Sequence, residues 1–210
     1  LMVDSEAAIV VTLDASGSMA AEDFRPRNRF TVAKELIADF IRGRQDDRIR
    51  LVTFGSRAAT RVPVTYARRI TEGILDRAEI GEHGNGTAIG HALATSVNRL
   101  RTSKTRSRVI ILVTDGVNNS GPPVDELRDQ AVAKSVIING LPIVNDRPGF
   151  GWLPPGALEQ HYRERVIGGP GAFVIVADGF EAFDQAVLRK LIRDELLELA
   201  SQGRLTDGAV

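Results

Sequence analysis

One stretch limits what this chain can become: Ala8-Ile9-Val10-Val11-Thr12-Leu13-Asp14-Ala15-Ser16-Gly17-Ser18-Met19. It begins as a near-continuous apolar run rich in β-branched residues, which reads as a strand buried on both faces. The run stops at a carboxylate, two hydroxyls and a glycine. Asp14, Ser16 and Ser18 alternate, and Gly17 lets the backbone turn tightly between them. Hard oxygen donors at the carboxyl end of a strand suit Mg²⁺, which takes six oxygens and usually keeps some waters. Asp-x-Ser-x-Ser also occurs in ordinary loops and caps helices well, and on this stretch alone both readings stand.

Two later segments bear on the choice. Ser107-Arg108-Val109-Ile110-Ile111-Leu112-Val113-Thr114-Asp115-Gly116 is a second buried strand, and it ends in Asp-Gly. Between the two lies Gly84-Asn85-Gly86-Thr87-Ala88-Ile89-Gly90, a glycine-rich loop that presents a threonine and then opens a helix. Asp14-x-Ser16-x-Ser18, then Thr87, then Asp115 in Thr-Asp-Gly is the pattern of the metal-ion-dependent adhesion site. On these residues the chain resembles the von Willebrand factor A (VWA) family, over nearly its whole length. Ile9 to Asn119 is similar to bacterial aerotolerance (Bat-type) and related membrane-associated A domains. From Asp125 onward, with Asn139-Gly140-Leu141-Pro142-Ile143 and Gly171-Ala172-Phe173-Val174, it resembles a bacterial family of secreted A-domain proteins.

The resemblance implies a Rossmann-like α/β fold. Its sheet is doubly wound, mostly parallel and six-stranded, with one antiparallel edge strand and helices on both faces. The two acid-tipped strands would lie side by side in the centre, with the site at the topological switch point. It also implies a divalent cation, Mg²⁺ with Mn²⁺ or Ca²⁺ as substitutes, held by Asp14, Ser16, Ser18, Thr87 and Asp115. Three of these offer neutral oxygens and two offer charge, so the cation stays electrophilic. Its open position favours a Glu or Asp carboxylate from a protein partner, with Thr87 tied to ligand engagement. Met19 and the loops that hold Phe24, Asn118 and Asn119 would rim the site, although Met19 by its apolar character is expected to pack against the first helix.

The bulk composition is compatible with this. A chain of 210 residues can form one α/β domain with a full core. A net charge of zero, from 27 basic and 27 acidic residues, argues against a nucleic-acid surface or a polybasic membrane patch. With no cysteine there are no disulfides, no thiol catalysis and no zinc-thiolate site. No run of about 18 apolar residues is present to span a bilayer. Leu1-Met2-Val3-Asp4 has no basic or apolar leader character and reads as a trimmed start. The expected organisation is an extension over residues 1–7, one domain over 8–202 and a flexible tail over 203–210, monomeric, with the bacterial envelope, periplasm or exterior favoured through the resemblance.

Periodicity supplies the remaining elements. Phe30, Ala33, Leu36, Ile37, Phe40 and Ile41 recur at helical spacing and predict a helix over Arg29 to Arg42, with Gly43 as its stop. Arg48 to Phe54 and Ala58 to Thr65 read as strands joined by a short turn, an antiparallel hairpin with Pro63 at the edge. Helices are predicted over Ile70 to Ala78, Thr87 to Arg101, Val124 to Lys134, Ala157 to Arg165 and Phe180 to Leu199. Further strands are predicted within Ser135 to Val144 and over Gly171 to Ala177. Asn145 to Gly156, with Trp152, is irregular. Strands alternating with helices call for a mostly parallel sheet covered on both faces.

Three functional classes follow. The first is metal-bridged recognition of an acidic group. The second is Mg²⁺-assisted hydrolysis or phosphoryl transfer, but the chain lacks the phosphate loop, the nucleophile elbow and the zinc-protease motif. His83 is the one histidine near the Thr87 loop and is expected to be solvated. His91 and His161 are read as surface or satisfied residues. A non-enzyme is therefore expected. The third is a metal-independent interaction domain, with Trp152 and its loop either a contact surface or a cover for the sheet's end.

Overall fold

The computed structural model of the protein describes residues 7–22, 24–44, 47–65, 67–105, 107–143, 154 and 156–176. All of them fall in the first of two contact units, Leu1–Asp178; the second is Gly179–Val210. The predicted helix over Phe180 to Leu199, the tail, Trp152 and most of its loop lie outside the described residues.

The apolar run forms β1 (Ala7–Asp14), buried at every position. It lies in the middle of a sheet of order β3-β2-β1-β4-β5. β2 is Arg48–Phe54, β3 Ala58–Thr65, β4 Ser107–Thr114 and β5 Ile137–Pro142. All pairs are parallel except β2 with β3, the hairpin at the edge. The β1–β4 register sets Leu13 opposite Val113, so Asp14 and Thr114-Asp115 leave the sheet side by side. From β1 the chain crosses to β2 on one side and later returns to β4 on the other, which makes the β1–β4 boundary the switch point.

α1 (Arg29–Gly43) starts where Asn28 accepts the Thr31 N–H at 2.8 Å, and every apolar residue that predicted the helix is buried. Each of the Phe, Leu and Ile side chains among them contributes about 1.5–3 kcal/mol through burial. α2 is Arg68–Asp76, α3 Ile89–Leu100, α4 Val124–Ala133 and α5 Ala157–His161, the last running into a π-helical turn, Tyr162–Val166. One core joins Ala8, Val10, Ile110 and Leu112 of the sheet to α3, α4, α5 and that turn. α1 and α2 supply none of it. α1, in the crossover from β1 to β2, and α3, in the connection back to β4, take opposite faces of the sheet, as right-handed crossovers running in opposite directions require, and α2 packs with α1, β2 and β3.

Among the described residues the sheet has five strands, not six. The strand predicted over Gly171 to Ala177 is reduced to one parallel bridge, Gly140↔Val174. Gly169 and Gly171 both adopt positive φ (97° and 67°), and Pro170 between them has no N–H to give. The chain therefore turns there, and the Phe173 N–H goes to the Asn139 side chain at 3.2 Å instead of to a ladder partner.

Candidate metal centre

Asp14 ends β1 and is wholly buried. Its Oδ1 accepts the Ser16 N–H at 2.7 Å, and its Oδ2 accepts the Thr114 hydroxyl at 2.5 Å. That hydroxyl in turn accepts the Gly116 N–H at 3.2 Å, so the two strand ends are tied together through Asp14. Burial, with Asp115's charge adding to it, outweighs these hydrogen bonds and raises the Asp14 pKa to about 7.

Above Asp14 the other four predicted residues form a chain of oxygens. Ser18 Oγ donates to Asp115 Oδ1 at 2.8 Å, Ser16 Oγ and Ser18 Oγ are 3.1 Å apart, and Thr87 Oγ1 donates to Ser16 Oγ at 3.3 Å. A hydroxyl has one proton, so Ser16 is the donor to Ser18, and the whole series points from Thr87 towards the Asp115 carboxylate. All five predicted residues are thus brought together. Neighbouring oxygens of an octahedron with metal–oxygen bonds near 2.1 Å lie about 3 Å apart, a spacing with which this set of oxygens is compatible. The donors are hard, which favours Mg²⁺, Mn²⁺ or Ca²⁺ in chemical type. Among the described residues no group of three or more His, Cys, Asp or Glu side chains is assembled, here or elsewhere, so the site rests on two carboxylates and three hydroxyls.

The Thr87 loop is held from two sides. Thr87 N–H donates to Asn119 Oδ1 at 2.8 Å, Asn119 N–H donates to Thr87 O at 3.0 Å, and Gly86 N–H donates to Ser56 Oγ at 2.9 Å. Ala88 N–H donates to Gly55 O at 2.9 Å. Gly55 allows this approach, since a Cβ there would stand 2.2 Å from Gly84 O. Asn118 accepts the Gly90 N–H at 3.3 Å. Asn118 and Asn119, expected on the rim, therefore act as braces. Met19 is fully buried in the turn that lies against α1, as its apolar character predicts.

His83 is not the solvated residue the sequence predicts. Its Nε2 pairs with Thr53 Oγ1 at 2.7 Å and lies 3.4 Å from Glu82, and burial lowers its pKa. His91 is exposed on α3. His161, read from the sequence as a surface or satisfied residue, is partly buried, and its Nε2 has no hydrogen-bond partner among the described residues.

Sequence reasoning missed two residues. Arg29, the first residue of α1, places Nη1 2.6 Å from Asp115 Oδ2, so both oxygens of that carboxylate are engaged. Tyr162 is wholly buried behind Asp14 and its Oη lacks a hydrogen bond of good geometry. Burial first, then the Asp14 charge, pushes its pKa well above 10. Its ring lies against Gly140, where a Cβ would stand 2.4 Å from the ring edge.

Comparison with known proteins bears on the fold that carries these residues. The profile of a family described as "Protein of unknown function (DUF1194)" matches residues 60–200. An uncharacterised protein from Borreliella burgdorferi is 40% identical over 127 residues, which are 60% of this chain and 36% of that protein; the chain thus spans about a third of that relative. An aerotolerance-related membrane protein from Bacteroides fragilis has a similar structure, with a TM-score of 0.75 at 22% identity, covering 89% of this chain and 99% of that one. A von Willebrand factor type A protein from Catenulispora acidiphila gives a TM-score of 0.66 at 20% identity over 89% of this chain and 42% of that one. Proximal thread matrix protein 1 from mussel byssus, with zinc in its adhesion-site motif, gives 0.67 at 18% identity over 91% and 46%. The fold is the VWA fold. The family match starts at residue 60, and the structural likeness to the aerotolerance-related protein covers 89% of this chain, so the two overlap.

Proposed function

The chain belongs to the DUF1194 family, and from that membership and its VWA fold we propose that it is a divalent-metal-dependent binding domain that takes an acidic side chain of a protein partner. One observation carries the reading: Thr87, Ser16, Ser18 and Asp115 link their oxygens in steps of 2.8–3.3 Å above a buried Asp14. Ser16, Ser18 and Thr87 would contribute hydroxyl oxygens, while Asp14 and Asp115 contribute the charge. A divalent cation held there would supply an electrophilic position for an anionic oxygen. The chain's own part is orientation. Thr114 and the Ser16 N–H fix Asp14, and Asn119 fixes Thr87.

Recognition is proposed over catalysis because the histidine nearest the Thr87 loop is occupied by Thr53 and Glu82. For location we propose the bacterial cell envelope, supported by likeness to an aerotolerance-related membrane protein. No described helix is long and apolar enough to cross a membrane. The partner is proposed to be a protein and not a nucleic acid, in line with the zero net charge, and the domain to act as a monomer.

The test is a calorimetric titration of Mg²⁺ into the chain and into Ser16→Ala, followed by acetate as a surrogate carboxylate. Mg²⁺ should bind the parent and not the variant, and acetate should bind only after Mg²⁺. Equal Mg²⁺ binding by both, or acetate binding in chelator, would sink the reading.

A further inference from the structure

Among the described residues Tyr162 is the bulkiest wholly buried side chain, and packing alone does not call for its hydroxyl. A phenylalanine would fill the same space without taking a polar group out of water. The Tyr162 Oη makes no hydrogen bond of good geometry, and a buried hydroxyl left unpaired is costly. The backbone here is also uncommon. Tyr162 opens the π-helical turn, which the Ile167 N–H closes on Tyr162 O at 2.9 Å, and wide turns of this kind are frequent at functional sites.

The strand register shows where the hydroxyl stands. The ring occupies the room that a Cβ at Gly140 would need, and Gly140 lies opposite Leu112 of β4. Leu112 and Thr114 share one face of β4, the face on which Tyr162 joins the core. On β1 the same face runs from Ala8 and Val10 to Asp14. The hydroxyl thus comes up beneath the two strand ends. The Thr114 side chain is within its hydrogen-bonding reach, and of the two carboxylates that act on it Asp14 is the stronger.

Proton counting fixes the direction of a bond between the two hydroxyls. Thr114 spends its single proton on Asp14 Oδ2 and accepts the Gly116 N–H, so one lone pair of Thr114 Oγ1 stays open. Tyr162 can use it only as a donor. Resting on the proposed reading of the site, we propose that Tyr162 is a positioning residue of the metal centre, which in the loaded protein donates its O–H to that lone pair and so holds the Thr114 hydroxyl on Asp14. A hydroxyl that donates to a carboxylate becomes a better acceptor, and the two bonds strengthen each other. In the metal-free protein the Tyr162 hydroxyl is unpaired and burdens the fold.

Two readouts should therefore move apart. Removing the hydroxyl should leave the metal-free protein at least as stable as before, yet weaken its hold on the cation. A tyrosine that only packed would leave cation affinity unchanged. One that only supported the fold would lose stability in chelator.

The experiment uses the full chain at pH 8, as parent, Tyr162→Phe, Thr114→Val and the double variant. Mg²⁺ affinity is read by calorimetry, and metal-free stability by melting in chelator. Tyr162→Phe should melt at or above the parent in chelator and bind Mg²⁺ roughly 3–10-fold more weakly. Thr114→Val should weaken Mg²⁺ binding by about tenfold or more. The double variant should bind no more weakly than Thr114→Val, because Tyr162 acts only through that hydroxyl. If Tyr162→Phe binds Mg²⁺ as the parent does, melts lower in chelator, or adds its full loss to that of Thr114→Val, the role of Tyr162 is overturned while the metal site stands. If the parent binds no Mg²⁺, the proposed function fails and this inference with it. Should Thr114→Val not fold, Tyr162→Phe decides alone: an undiminished Mg²⁺ affinity or a lower melting point in chelator overturns the proposal.

Discussion

Ser16 and Ser18 sit two residues apart and carry the same hydroxyl, yet the protein holds them differently. Ser16 is wholly buried, its N–H bound to Asp14 and its carbonyl to the Met19 N–H at 3.2 Å. Ser18 is exposed, and its hydroxyl bridges Ser16 to Asp115. The contrast extends to their neighbours. Asp14 and Thr87 belong with Ser16: both are buried, Asp14 accepting the Ser16 N–H and Thr87 donating its own N–H to Asn119 Oδ1. Asp115 belongs with Ser18, held by side chains, among them Arg29. The inner half is preformed; the outer half is built from contacts that can exchange when charge enters or leaves. A site made this way keeps its position in the fold while its mouth answers to a ligand.

The sharpest test of that contrast is to delete one member of each half. Asp14→Ala should abolish the Mg²⁺-dependent stabilisation, which at free Mg²⁺ of 100 times the dissociation constant is about 2.7 kcal/mol. That corresponds to a melting shift of roughly 5–10 °C for a domain of this size. Ser18→Ala should keep part of it, because the inner oxygens remain in place. Melting curves with chelator and with excess Mg²⁺ check both. Equal losses would mean that the two halves are not distinct.

A smaller effect should come from a residue that holds the inner half without contributing an oxygen to it. Asn119→Ala removes the acceptor of the Thr87 N–H, and loss of such a second-layer partner typically costs 10–100-fold in metal affinity. The Mg²⁺ titration should therefore weaken by about tenfold or more. If Asn119→Ala bound Mg²⁺ as the parent does, Thr87 would not depend on that brace.

The same division explains what was legible in the sequence. The inner half is written locally: an apolar run that stops at Asp14, and alternating oxygens around Gly17. The outer carboxylate, Asp115, was equally visible because it ends a second run of the same kind. Arg29 was not, since its partner lies 86 residues away and its own helix explains nothing about it. The one local clue was a cation at the start of a helix, where the macrodipole disfavours it. Tyr162 was hidden for a related reason. It lies in a predicted helix, but only tertiary packing over Gly140 brings it behind Asp14. His83 was misread because a glycine-rich loop looks wet, and only the pairing with Thr53 on β2 shows otherwise. The sixth strand failed where Pro170 and positive-φ glycines outweighed an apolar stretch.

The last test turns on Asp14 alone and has the smallest expected effect. Its pKa is raised to about 7 from 3.8, chiefly by burial. An acid raised in this way stays protonated in the folded protein after the unfolded chain has released its proton. Between about pH 4 and 7 the folded state thus binds more protons, so metal-free stability should fall as pH rises through that window. Metal binding needs the ionised carboxylate, so below pH 7 Mg²⁺ must displace a proton. The apparent Mg²⁺ affinity should then be about tenfold weaker at pH 6 than at pH 8, and nearly flat above pH 8. Mg²⁺ titrations at pH 6, 7 and 8 measure this directly. Equal affinity at pH 6 and 8 would mean that Asp14 is already ionised in the metal-free protein. The hydrogen bonds from Thr114 and the Ser16 N–H would then outweigh burial, and the inner half would be preformed in charge as well as in position.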